Sequence, residues 1–479
     1  MSNIVKTKFA IIWSILQHFS VKFIGIIVNI FLARMLSPAE FGLIAMLTVF
    51  IAIGNSLLDS GLASSLIRTR FAGQKDYSTV FIFNLIGGGL AYMILYLIAP
   101  YIAAFYKQPL LTEVVKVYGL IFIINAFFSI QNTLLIKEMR FKEQALMQVP
   151  SVIVGGCCGL ILAKNHYGVW SIVWMQLMSA LTSTVLHWYF SSWRPRFIFN
   201  KRSFKKHFSF GYKMTLSSLL DTVYNNLYTI IIGRFFAPVQ LGYYSRAESL
   251  SQLPVGIIST SINKVAYPMF AKISDDDVKL KNSYKKLMQL VLFWNAPSLI
   301  YLAIVAESLI RLLLTEKWLP AVPYFQILCI AGILYPVHSY NLNVLKVKGK
   351  SGQYLKLEVI KKILTVIGII CVIPFGIMGL LYFQLFFTFF AYYINSSYSG
   401  KLINYPLNEQ LGDIWPIFFL SSTLGFAVFC FDQFIFSYYH NDLIRIFLSG
   451  ISYASLYLII SYLINLAPFI SFKQIILKK

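Results

Sequence analysis

Apolar stretches close to 20 residues long recur from one end of this chain to the other, separated only by short charged segments. A helix rises about 1.5 Å per residue, so roughly 20 such residues cross a hydrocarbon layer of about 30 Å. Repetition of that length leaves a polytopic helical membrane protein, because helices satisfy their backbone polar groups where water is missing. The fold class is therefore all-α and membrane-embedded. Only 12% of the residues are charged, against about 25% in soluble domains. The longest polar stretches, 191–207 and 271–283, are too short to fold separately, so no soluble catalytic domain is expected and an enzyme is disfavoured.

A net charge of +23 would suggest nucleic acid in a soluble protein, but here the basic residues sit in loops between spans. Membrane topology accounts for them and nucleic acid does not. The five cysteines, Cys157, Cys158, Cys329, Cys371 and Cys430, fall inside apolar runs and are expected in the core, with no metal-like cluster around them. The basic segment 1–8 leads into an apolar run over 9–32 that is too long for a signal peptide, which makes it a retained first span.

Hydropathy divides the chain into about fourteen helices, near 9–33, 41–66, 78–104, 113–136, 145–163, 168–190, 208–234, 240–270, 286–314, 321–345, 356–376, 379–401, 413–432 and 444–466. Pro254 and Pro297 are the expected kink points in two of the long ones. Positively charged residues in short loops stay in the cytoplasm, and roughly 27 Lys and Arg lie on the side of the N-terminus against roughly seven opposite. Both termini are therefore expected in the cytoplasm.

An internal repeat organises these spans. Leu32-Ala33-Arg34-Met35-Leu36-Ser37-Pro38-Ala39-Glu40-Phe41-Gly42 returns as Ile232-Gly233-Arg234-Phe235-Phe236-Ala237-Pro238-Val239-Gln240-Leu241-Gly242, with Arg, Pro and Gly in one register. Six spans separate the two turns, so the repeats are parallel and related by an axis along the membrane normal, as in transporters. The reading is an N-lobe over 1–200, a C-lobe over 201–405, and two further helices with a tail over 406–479.

The repeat motif, followed by Asp59-Ser60-Gly61-Leu62, resembles the opening of Wzx-type polysaccharide flippases of the multidrug/oligosaccharidyl-lipid/polysaccharide (MOP) exporter superfamily. The resemblance continues through Trp193-Arg194-Pro195, Tyr224-Asn225-Asn226-Leu227-Tyr228, Glu316-Lys317-Trp318-Leu319-Pro320 and Tyr398-Ser399-Gly400-Lys401-Leu402. It implies alternating access by two six-helix lobes around a cationic cavity. The substrate implied is an undecaprenyl-pyrophosphate-linked oligosaccharide, of the O-antigen or lipopolysaccharide kind, moved across the bacterial inner membrane. Membrane lipids, polysaccharide polymerase and assembly proteins are the implied neighbours, with a monomer as the transport unit.

Charged and strongly polar side chains inside spans cost about 2.5–3.5 kcal/mol on insertion scales and so face a cavity or a partner. His18, Lys22 and Asn29 share a helical stripe with Gly25 in the first span. Lys22 is either a cationic contact for pyrophosphate or the partner of Asp59 or Asp221. In the seventh span Asp221, Asn225 and Tyr228 share a face, with Asn226 beside them; Asp221 and Asp59 are the candidates for binding a coupling proton or sodium ion. The amides and Tyr228 offer contacts to sugar hydroxyls or, equally, interhelical hydrogen bonds. Arg246 and Lys264 lie on one face of the eighth span, and His338 and Asn341 near the end of another. Glu307 and Arg311 suit a local ion pair. Gly87-Gly88-Gly89 follows no strand, so helix packing is expected rather than a phosphate loop, and no cofactor or nucleotide site is evident. Two other functions fit less well: a membrane polysaccharide polymerase or ligase, which needs a large extracytoplasmic loop, and a multidrug exporter of the same superfamily.

Overall fold

The computed structural model describes residues 3–58, 61–434 and 441–477, which are helical with no strand among them. Eleven helical stretches among the described residues are long and apolar enough to cross a membrane. The expected fourteen differ from these at two places. Ser351–Leu402 is one apolar stretch holding two successive helices, and the helices over 201–272 are too polar to qualify by composition. The chain divides into two compact units, Met1–Gly242 and Tyr243–Lys479.

The first unit runs α1 (Asn3–Met35), α2 (Pro38–Leu58), α3 (Leu62–Arg68), α4 (Gln74–Tyr106), α5 (Leu111–Tyr118), α6 (Ile121–Lys137), α7 (Phe141–Lys164), α8 (Val169–Phe190), α9 (Lys201–Asn225) and α10 (Leu227–Phe235). The repeat-based lobe boundary at 200 precedes α9, whereas α9 and α10 belong to this unit. Helix α7 packs between α1 and α8 through small residues, since the apolar effect gives helices no reason to associate in lipid and close van der Waals approach must do it. A Cβ added at Gly155 would lie 2.5 Å from the Met175 carbonyl oxygen, and one at Gly156 would lie 2.6 Å from Val28. Gly88 likewise sits against the Phe122 backbone, so helix packing accounts for the middle glycine of the triplet, whereas Gly89 has open space beside it.

Helix α2 begins with a capping box. Ser37 N–H and Oγ–H donate to the Glu40 carboxylate at 2.6 and 2.9 Å, with Pro38 at the first helical position. The second copy of the motif keeps the proline but has Ala237 and Gln240 in place of the box. The two copies meet within this unit. A Cβ on Gly42 would fall 1.9 Å from the Pro238 carbonyl oxygen, and one on Gly242 would fall 1.9 Å from that of Pro38. Such a reciprocal contact is what a local two-fold between the motifs produces.

The basic segment after α8 is fastened to the start of α4. Gln74 Nε2 donates to the Arg194 carbonyl at 2.7 Å, Arg196 N–H to Ser78 Oγ at 3.0 Å and Asn200 N–H to Thr79 Oγ1 at 3.0 Å. Asn200 then caps α9 by accepting from Arg202 and Ser203. His207, fully buried, links Ser65 of α3 at 2.7 Å to Asp76 of α4 at 3.4 Å.

Helix α11 (Pro238–Lys272) gives its first turn to the first unit, with Pro254 and Pro268 inside it. The second unit continues with α12 (Asp277–Ile304), α13 (Ala306–Leu314), a 3₁₀ segment Glu316–Ala321, α14 (Val322–Gly332), α15 (Tyr335–Val347), α16 (Ser351–Val372), α17 (Gly376–Leu402), α18 (Leu407–Phe434), α19 (Asp442–Leu463) and α20 (Ala467–Leu477). Helix α12 is its centre, buried at consecutive positions Val291, Leu292 and Phe293 and again at Asn295, Ala296 and Pro297. The acidic residues just before α12 have structural duties. Asp276 caps α12 through the Lys279 N–H, which holds its carboxyl below the usual range, and Asp277 pairs with Lys348. Glu307 pairs with Arg311 as expected, and Arg311 also reaches Asp442 at 3.3 Å. Cysteine placement differs from expectation: Cys329 is buried, but Cys157 and Cys371 are exposed, because in a membrane bundle an apolar side chain is as stable against lipid as in the core.

Candidate functional site

Helix α1 has three distinct faces. Gln17 is buried and donates to Gln148 Oε1 of α7 at 2.7 Å, and Val28 packs on Gly156, so that face is fixed against α7. Phe19, Phe23, Ile27 and Phe31, four residues apart, are exposed and form an apolar outer face. His18, Lys22, Gly25 and Asn29 occupy the remaining stripe at spacings of four, three and four. Lys22 is exposed and makes no ion pair among the described residues, so the pairing with Asp221 is not formed here. Asp59 lies outside the described residues. Asn29 Nδ2 donates to its own helix at Gly25 O, 2.8 Å away.

Helix α9 is set on α2 by hydroxyls: Ser56 Oγ lies 2.8 Å from Ser218 Oγ and 3.1 Å from Thr222 Oγ1. Asp221 and Asn225 are left exposed. Asn226 marks the break between α9 and α10, its Nδ2 donating to Thr222 O at 2.8 Å, and Tyr228 is half-buried in the first turn of α10. Of these candidates, the structure thus puts Lys22 on α1 and Asp221 and Asn225 on α9, all at exposed positions of one unit.

The second unit treats its candidates differently. Arg246 is half-buried on α11, and the side chain of Lys264 lies outside the described ones. Asn341 is fully buried, accepting from Tyr284 Oη at 2.7 Å and Ser399 Oγ at 2.6 Å while donating to Ser396 Oγ at 3.1 Å. The amide is consumed by α12 and α17 and holds helices together instead of meeting a substrate. His338 is half-buried, with Asn395 Nδ2 3.4 Å from its Nδ1. Sequence reasoning missed this network because its partners lie on four helices far apart in sequence. It continues through Gln410, which donates to Tyr405 O at 2.8 Å, to Tyr405 Oη on Asp413 at 2.5 Å and Lys285 on the same carboxylate at 2.8 Å.

Sequence reasoning also missed a cavity of about 570 Å³ inside the first unit, between α2, α3, α4 and α6. Four asparagines, Asn55, Asn84, Asn125 and Asn132, line it together with Phe128 and Ser129, and no charged residue does among the described ones. Uncharged amides dispersed over three helices give no local motif; their recurrence inside apolar spans was the available signal.

Such a bundle is that of a multi-pass helical membrane protein, and its fold is shared with solved structures of the MOP superfamily. The inward closed structure of the lipid II flippase MurJ is similar with a TM-score of 0.73 at 14% identity, covering 95% of this chain and 100% of that one. An inward-facing multidrug resistance MATE family transporter of the MOP superfamily gives 0.59 at 12% identity, covering 80% and 96%. The chain belongs to the polysaccharide biosynthesis protein family, whose model matches residues 31–323. It is 26% identical over 416 residues to the lipopolysaccharide biosynthesis protein WzxC of Escherichia coli K12, covering 85% of this chain and 84% of that protein. It is 29% identical over 306 residues to the teichuronic acid biosynthesis protein TuaB of Bacillus subtilis 168, covering 64% and 63%. With the succinoglycan biosynthesis transport protein ExoT of Rhizobium meliloti 1021 it shares 24% over 332 residues, covering 68% and 67%.

Proposed function

We propose that this multi-pass membrane protein is a flippase that carries an undecaprenyl-pyrophosphate-linked oligosaccharide across the bacterial inner membrane by alternating access, with no covalent step. The observation that carries this reading is membership of the polysaccharide biosynthesis family on a MOP transporter fold. The lipid tail stays in the bilayer while pyrophosphate and sugars, which lipid would not solvate, pass along polar stripes of the helices. Lys22 is the cation for pyrophosphate: an ammonium sheltered from bulk water attracts phosphate oxygens far more strongly than one at the aqueous surface. Asp221 and Asp59 are the groups for a coupling proton or sodium ion, and no cofactor is involved. Both termini lie in the cytoplasm, as the loop charges favour, and a monomer works beside polysaccharide polymerase and assembly proteins.

Complementation tests the reading. Deleting the gene in its host should abolish the surface polysaccharide and accumulate the lipid-linked unit on the cytoplasmic leaflet, and the wild-type chain should restore both. Lys22→Arg should retain much of the activity and Lys22→Ala should lose most of it at unchanged protein level by quantitative blotting. Full activity of Lys22→Ala removes Lys22 from the path; normal polysaccharide in the deletion strain removes the function.

A further inference from the structure

The amide-lined cavity of the first unit has unspent hydrogen-bonding capacity inside apolar spans. Asn84 Nδ2 donates to Ser129 Oγ at 3.0 Å, and that hydroxyl donates onward to the Ala126 carbonyl at 3.2 Å. The other end of the same amide, Asn84 Oδ1, is buried without a partner. Asn132 uses its oxygen to accept from Gln144 Nε2 at 2.8 Å, and its own amide hydrogens are not engaged by a hydrogen bond among the described residues. Asn55 and Asn125 make no side-chain hydrogen bond among the described residues. Polar groups left unpaired at membrane depth are costly, so a cavity that collects them is built for something that pairs them.

The chemistry of the lining selects the ligand. A primary amide offers two donors and an acceptor side by side, and a sugar hydroxyl is both donor and acceptor, so each amide can engage a hydroxyl in either sense. Among the described residues the wall has no cation to hold a phosphate and no carboxylate to neutralise a metal ion or carry a proton. Phe128 supplies an apolar surface for the C–H face of a ring. The volume lies within the roughly 300–1,000 Å³ of small-molecule sites, enough for sugar rings and far too little for a polyprenyl chain.

We propose that this cavity is the sugar subsite of the transporter, receiving neutral sugar residues of the lipid-linked oligosaccharide while pyrophosphate is held elsewhere. The proposal rests on the flippase reading and divides recognition between a neutral pocket and a cationic one.

The test uses the full-length chain in nanodiscs and two probes: undecaprenyl pyrophosphate, and the same lipid carrying the oligosaccharide extracted from the host. Asn55→Ala/Asn125→Ala removes two amides that hold no described part of the fold together. It should bind the sugar-bearing lipid about tenfold more weakly, as loss of two neutral hydrogen bonds implies. Undecaprenyl pyrophosphate should bind unchanged, which also reports an intact fold. Asn125→Ala alone provides a milder variant with the same expected pattern. Unchanged affinity for the sugar-bearing lipid in the double variant overturns the subsite and leaves a merely hydrated cavity. Equal weakening of both lipids overturns it too, because the effect is then not that of sugar. Failure of the wild-type chain to bind either lipid sinks the flippase reading, and the subsite with it.

Discussion

Gly42 and Gly242 carry the most sharply defined constraint on any single residue here. Each faces the other motif's proline carbonyl so closely that a methyl group would overlap backbone, which cannot swing aside as a side-chain tip can. Gly42→Ala or Gly242→Ala should therefore cost about 1–3 kcal/mol through overpacking. A lowered thermal midpoint by fluorescence-detected size exclusion is the expected result, with Gly25→Ala, which has open space around it, as the unaffected control. Equal midpoints for all three would contradict the close approach. The residues also mark how far sequence reaches. Arg, Pro and Gly stand in matched register in the two motifs, but nothing in the letters says that the two glycines touch. Lys22 stands out because a lysine in an apolar run is conspicuous, and its stripe with Asn29 follows from helical spacing. Asn341 was equally conspicuous, yet its surroundings decide its role. Tyr284, Ser396 and Ser399 are distant in sequence, and only folding brings their hydroxyls to the amide.

At the scale of elements, the hydropathy reading found the spans wherever apolar length dominates and lost resolution where polarity or helix joints intervene. Helices α9 and α11 are too polar to pass as spans by composition, and hydroxyls of α9 are spent on α2. Helix α20 was expected as a plain tail; it is helical because Phe469 and Phe472 dock on Phe293 and Trp294 of α12, and a tertiary contact of that kind leaves no periodic signal. The polar joint of α12, α15, α17 and α18 gives this scale its prediction. Asn341→Ala strands the Tyr284 and Ser399 hydroxyls in a dry interior, at about 1–3 kcal/mol for each group left unsatisfied. A clear fall in thermal midpoint is expected, whereas Asn225→Ala, at an exposed position of α9, should leave the midpoint within about 1 °C, roughly the null effect of a surface substitution. The reverse order would return Asn341 to the substrate path and make Asn225 structural.

For the whole molecule, a bilayer permits few folds, and that restriction is why class and architecture were readable while sites were not. Twenty-residue apolar lengths and an internal repeat suffice for a helical transporter, but what it carries depends on a few polar side chains whose neighbours are set by packing. The central claim is transport of a lipid-linked oligosaccharide without chemistry, and reconstitution tests it directly. Proteoliposomes containing the purified chain and the host's undecaprenyl-pyrophosphate-linked oligosaccharide in both leaflets would be treated outside with a membrane-impermeant glycosidase. The account predicts that the fraction of sugar cleaved climbs from about half toward completion as the protein brings inner-leaflet substrate outward, with the lipid itself chemically unchanged. A fraction that stays at the level of protein-free liposomes, with the protein folded and an ion gradient imposed in either direction, would contradict it.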